Sequence, residues 1–178
     1  MKWLSLLVIL IIVAAVFISG CADEENSGPL VPAADAILPG QVLMTIGNVT
    51  GNGIPRGTID TINFTVGLVP GKKSVNLEQI SIIYADAIRT ESLVPVEGFY
   101  GDPPQGSWGI LEVQNQIGSP NNRLEFEERV VIRINPKAPL VPRQFITIII
   151  KPPAGTSLTL RRVSPPTIIK ENNILTPM

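Results

Sequence analysis

Apolar and polar residues alternate most clearly in residues 57–87, GTIDTINFTVGLVPGKKSVNLEQISIIYADA. Ile62, Phe64, Val66 and Leu68 alternate with Asn63, Thr65 and Gly67, the period of a half-buried β-strand and not of a helix. Pro70-Gly71-Lys72-Lys73 breaks the run with turn chemistry, and Ile80, Ile82 and Tyr84 then resume it on one parity. Each strand implies one buried face, so the pair needs a second layer. Gln41 to Ile46 reads as an earlier strand, joined to the pair by a flexible link through Gly47, Gly51, Gly53, Pro55 and Gly57.

Residues 87–105 read as connection, because Pro95, Gly98, Gly101, Pro103 and Pro104 interrupt any regular element. Residues 107–113 start another strand. In residues 124–134, Leu124, Phe126, Val130, Ile132 and Ile134 share a parity that Glu128 breaks, marking a bulge or a strand end. FITIIIK, residues 145–151, has branched side chains on both faces, which predicts a central strand; residues 157–162 alternate, and the NNIL tail adds an edge strand. The sum is an all-β antiparallel sandwich of about seven or eight strands over residues 40–178.

Ahead of it, Trp3 to Gly20 holds no charge and predicts an N-terminal hydrophobic helix, with residues 1–20 acting as signal peptide or membrane anchor. Ile18-Ser19-Gly20-Cys21 resembles a lipobox, in which small residues precede the cysteine that is lipidated, making Cys21 a lipidation candidate. The competing reading is an uncleaved anchor with Cys21 merely at its end. Lys2 on one side and Asp23, Glu24 and Glu25 on the other place the long part across the membrane in either case. Residues 21–39, rich in acid, Ser and Pro, read as a flexible spacer.

Composition narrows the chemistry. The chain of 178 residues has no histidine and one cysteine, which removes the commonest general base and metal ligands. The expectation is therefore no enzyme, no cofactor and no metal. A net charge of −1 argues against a nucleic-acid partner. Carboxylates at Asp60 and Asp86, or at Glu125, Glu127 and Glu128, are read more cheaply as solvated strand faces than as a hydrolase or calcium site. A binding pocket has thin candidates in Phe99, Tyr100, Asp102 and Trp108, and Trp108 is better read as a core plug. Arg161-Arg162 reads as a strand-end charge pair. Two sequons, Asn48-Val49-Thr50 and Asn63-Phe64-Thr65, make Asn48, in a turn, and Asn63, on a solvent face, candidates for N-glycosylation on an exported domain.

The order of these pieces resembles the outer domain of archaellins, the archaeal flagellins. The resemblance rests on Ile59-Asp60-Thr61-Ile62, Pro70-Gly71, Val75-Asn76-Leu77, Tyr84-Ala85-Asp86, Ile150-Lys151-Pro152-Pro153 and Arg161-Arg162-Val163-Ser164-Pro165, and spans roughly residues 40–175. It implies that the sandwich is immunoglobulin-like. It also implies a structural or accessory part of an archaellum or related surface filament, often N-glycosylated, whose partners are other archaellins, including copies of itself, or surface-layer proteins. The N-terminus departs from that pattern, since the apolar run begins at Trp3 and prolines follow soon at Pro29 and Pro32. The alternative is a membrane-tethered lipoprotein module that binds a surface-layer or other extracellular ligand.

Overall fold

The computed structural model describes residues 36–178, and among them the only helical piece is one 3-10 turn, Leu77–Gln79. Eleven strands follow one another: β1 Leu43–Ile54, β2 Thr58–Leu68, β3 Val75–Asn76, β4 Ser81–Asp86, β5 Thr90–Tyr100, β6 Ser107–Gln114, β7 Arg123–Leu124, β8 Arg129–Asn135, β9 Phe145–Lys151, β10 Leu158–Val163 and β11 Asn173–Pro177. Nine of them close on themselves in the order β1-β11-β10-β9-β4-β5-β6-β8-β2, while β3 and β7 form a separate ribbon.

This overturns the expected immunoglobulin-like antiparallel sandwich of seven or eight strands. The sheet is a closed barrel, and β5 and β6 run parallel. Closure comes from two strands that change partner midway. The first half of β5 pairs with β4 through Leu93, and its second half pairs with β6 from Val94 onward. β11 pairs with β1 through Asn173, Ile174 and Leu175, and with β10 through Thr176 and Pro177. Closing a sheet leaves no open edge to template a foreign strand. The hydrophobic helix expected over residues 1–20, and Cys21 with it, lie outside the described residues.

Two stretches without clean alternation are strands here. The glycine-rich link after Ile46 belongs to β1, where the register to β2 slips between Ile46 and Thr50 and again between Asn52 and Gly53. Gly47 takes a φ of 73°, which a glycine adopts at little cost and which bulges the strand. The proline-containing β5 is the other. Pro95 has no N–H to donate, and it sits just before the register shift that ends at Tyr100, where the ladder to β6 is interrupted. Residues 124–134 divide as their broken parity implied, with β7 ending at Leu124 and β8 beginning at Arg129.

Inside the barrel, Trp108, Tyr84 and Phe64 are the largest fully buried side chains. Alternate residues of β8 and β9 (Val130, Ile132 and Ile134; Ile146, Ile148 and Ile150) point inward with them. Burying each branched side chain contributes about 1.5–3 kcal/mol. β9 lies between β4 and β10, as its branched residues suggested. Buried polar groups tie the ends together. Asn173 Nδ2 donates to the Gly51 carbonyl at 3.0 Å and to that of Ile169 at 2.7 Å, and its Oδ1 accepts from Ile169 N at 2.8 Å. Those bonds fix the start of β11 against β1.

The β5–β6 seam is tight at one glycine. A Cβ on Gly109 would stand 2.2 Å from the Gly101 carbonyl oxygen, which cannot retreat because Gly101 N donates to Ile110 O at 2.9 Å. Gly109→Ala is therefore expected to lower folding stability by about 3 kcal/mol. Urea unfolding checks this as a lowered midpoint, and an unchanged midpoint would mean the seam is not under this constraint.

Candidate functional site

The carboxylates singled out in the sequence do not converge. Asp86 ends β4 with its side chain 1% exposed, and it works as a knot. Its Oδ1 accepts from Ile88 N and Arg89 N, both at 3.0 Å, while Oδ2 meets Arg89 Nε at 2.9 Å and accepts from Gln144 Nε2 at 3.2 Å. Charge-assisted bonds of this kind are the strong ones, and here they lock the β4–β5 turn to the segment entering β9. Asp60 lies on β2, four strands round the barrel from β4.

Glu128 is also an internal tie. It is 1% exposed, and its two carboxylate oxygens accept from Ile117 N at 2.8 Å and Glu125 N at 2.9 Å. Glu125 and Glu127 point away from it into solvent or partly so. Among the described residues no three His, Cys, Asp or Glu side chains are grouped to hold a metal ion.

The aromatic candidates separate in the same way. Trp108 is fully buried, and the Phe99 ring packs on it at 6.0 Å between centroids, tilted by 51°. Tyr100 is exposed, and Asp102 forms an ion pair with Arg133. Arg161 is exposed, whereas Arg162 is buried and donates through a guanidinium nitrogen to the Arg161 carbonyl at 2.8 Å. So Arg161 and Arg162 share no charged face.

What the fold does bring together is the pair of sequons. Thr50 of the first lies directly opposite Asn63 of the second across the β1–β2 ladder, and Thr65 lies opposite Ile46. Asn48 is exposed within the β1 bulge rather than in a turn between strands. Asn63 is half-buried and its Oδ1 accepts from Arg133 Nε at 2.8 Å. Arg133 was not a candidate in the sequence, since only the β2–β8 register sets it opposite Asn63. Beside them opens a shallow polar depression of about 590 Å³ bordered by Asn52, Asp60, Asn63, Arg133, Lys170 and Asn172.

Among the described residues the fold is an all-β module closed into a barrel. The residues match the archaeal-type flagellin family over 41–162, and the chain belongs to that family. No curated protein sequence matches the chain. Among solved structures it is similar to archaeal flagellin FlaB1 from Methanocaldococcus jannaschii, with a TM-score of 0.61 and 15% identity over 76% of this chain and 98% of that one. It is also similar to the archaeal flagellum of Methanospirillum hungatei strain JF1, with a TM-score of 0.53 and 17% identity over 76% of this chain and 70% of that one. At such identities the likeness is one of fold.

Tyr84 carries the clearest titration signature. Its hydroxyl is buried, and burial first, then the Asp86 carboxylate, push its pKa well above the ordinary 10.0. With the folded value raised, its contribution to stability is whole below pH 10.0 and is lost as the pH climbs toward the folded value, because the unfolded chain ionises first. Tyr84→Phe is expected to move the midpoint of alkaline unfolding to higher pH while changing stability at pH 7 by less than about 1 kcal/mol. Circular dichroism across an alkaline titration reads both, and an unmoved midpoint would exonerate Tyr84.

Proposed function

We propose that this chain is a non-enzymatic structural or accessory component of an archaellum or a related surface filament, presented outside the cell. Membership of the archaeal-type flagellin family over residues 41–162 is the observation that carries this reading. The similarity of fold to an archaellin and to an archaeal flagellum supports it. Its partners in this reading are other archaellins, including copies of itself, or surface-layer proteins. Nucleic acid is not among them.

The module, residues 40–178, is held at the membrane through residues 1–20 or through a lipid on Cys21, with residues 21–39 as the spacer. The lipobox-like Ile18-Ser19-Gly20-Cys21 supports the lipid, and the uncharged run from Trp3 supports the anchor. The β1–β2 face is turned to solvent and bears an N-glycan. Asn48 is the better acceptor of the two sequons, because it is exposed on a bulge where the ladder is already broken. Asn63 is half-buried and engaged by Arg133.

Electron microscopy and peptide mass spectrometry of filaments sheared from cells are expected to find this chain in them. Recovery of the whole population as isolated membrane protein, with none in filaments, would overturn the filament role. In the same spectra the glycan mass is expected on the Asn48 peptide and to vanish in Asn48→Gln. A peptide beginning at diacylglyceryl-Cys21 establishes the lipid, and an intact Met1 terminus rejects it.

A further inference from the structure

The wall of the barrel has two unlike halves. β9 and β4 stand halfway round from the sequon-bearing β1 and β2. On their outer side Ile83 lies directly opposite Ile149, and Phe145 of β9 lies opposite Val163 of β10. Phe145 is 60% exposed, and Ile174 on the neighbouring β11 is 52% exposed. Serine, threonine and alanine fill most of the rest, and the charged outward residues of β4, β9 and β10 are Lys151 and Arg161, both basic. A sheet face meant only for water is expected to carry polar residues of both signs. This one is apolar at its centre, and none of the outward residues on those three strands is a carboxylate, the Asp86 side chain of β4 being buried.

The opposite signature occurs at the turn between β7 and β8 and the β6–β7 connection bonded to it. Phe126 is 54% and Ile117 48% exposed, and Phe126 stands between Glu125 and Glu127. The tip is a built feature and not a loose end. The buried Glu128 carboxylate clamps it from beneath through Ile117 N and Glu125 N, and Glu128 N closes the turn onto Glu125 O at 3.2 Å. Glu127 has a φ of 69° and Asn115 a φ of 56°, left-handed conformations that cost non-glycine residues on the order of 1 kcal/mol each. Strain and a buried charge thus hold Phe126 and Ile117, each about half exposed, at the border of an open depression they share with Met44, Ile46 and Leu68.

We propose that the outer face of β4, β9 and β10 receives the Phe126 tip of a second copy of this chain, with Glu125 and Glu127 meeting Lys151 and Arg161. The inference rests on the filament reading given above. Opposite charge selects the tip as occupant, and sequons on the far side leave this face free of glycan. Tip and face are different patches, so the contact is head-to-tail: each copy offers one of each, and the series need not close. Three to four strands of six or seven residues make a face of only ~300–400 Å² in projection. That is short of the ~800 Å² per partner in a standard stable pair, so the contact counts when it is repeated along an assembly.

The test places p-benzoylphenylalanine at position 126 of the full-length chain in cells and irradiates a mixture of isotopically light and heavy copies. Mixed-isotope products joining residue 126 to peptides within 145–163 are expected. Arg161→Glu should lower their yield about fivefold, and adding Glu127→Arg should restore it. Products to another region of the second copy, to a different protein or only within one chain would each overturn the proposal, as would a charge swap that fails to rescue. Electron microscopy of the same sample reports separately whether the chain is in filaments, so loss of the docking contact and loss of the filament role remain distinguishable.

Discussion

Everything else in this molecule depends on two strands that each serve two partners. β5 leaves β4 and joins β6 in parallel, and β11 leaves β1 and joins β10, so that a sheet of nine strands has no free edge. A strand can do this only if the ladder is interrupted where it turns. In β5 the change of partner at Leu93 and Val94 is followed by Pro95 and a register shift, and Gly109 of β6 lets the Gly101 backbone come close. An edgeless sheet also avoids unplanned strand addition.

A closed barrel has long connections to secure, and buried polar side chains do that work. Asp86, Glu128 and Asn173 each bond backbone groups of segments far from or adjacent to themselves, so each converts a loop into a fixed part of the surface. Burying a carboxylate is costly unless its oxygens are well bonded, and both oxygens of Glu128 and of Asp86 are. What results is rigid placement of surface features.

Those features divide by side of the barrel. Sequons, amides and the Arg133 ion pair occupy β1, β2 and β8, while β4, β9 and β10 present branched apolar residues with basic charges. A structural subunit has to face both solvent and its neighbours, and an asymmetric wall lets one domain meet both demands. Family membership and this division of the surface point the same way.

Period-two alternation and turn residues were enough to read an all-β module from the amino-acid order, since each is a local property of the chain. FITIIIK showed its central place because branched side chains on both faces are visible in seven residues, and Glu128 showed its break in the same way. Tertiary structure alone decided that the sheet closes, that residues 90–100 form one of the two strands that close it, that Thr50 sits opposite Asn63, and that Glu128 is an internal clamp. Those facts concern which distant strands meet and where a strand changes partner. Alternation tells which face of a strand is buried but carries no information about its neighbour, and a proline or glycine reads as a break whether it ends a strand or bends one.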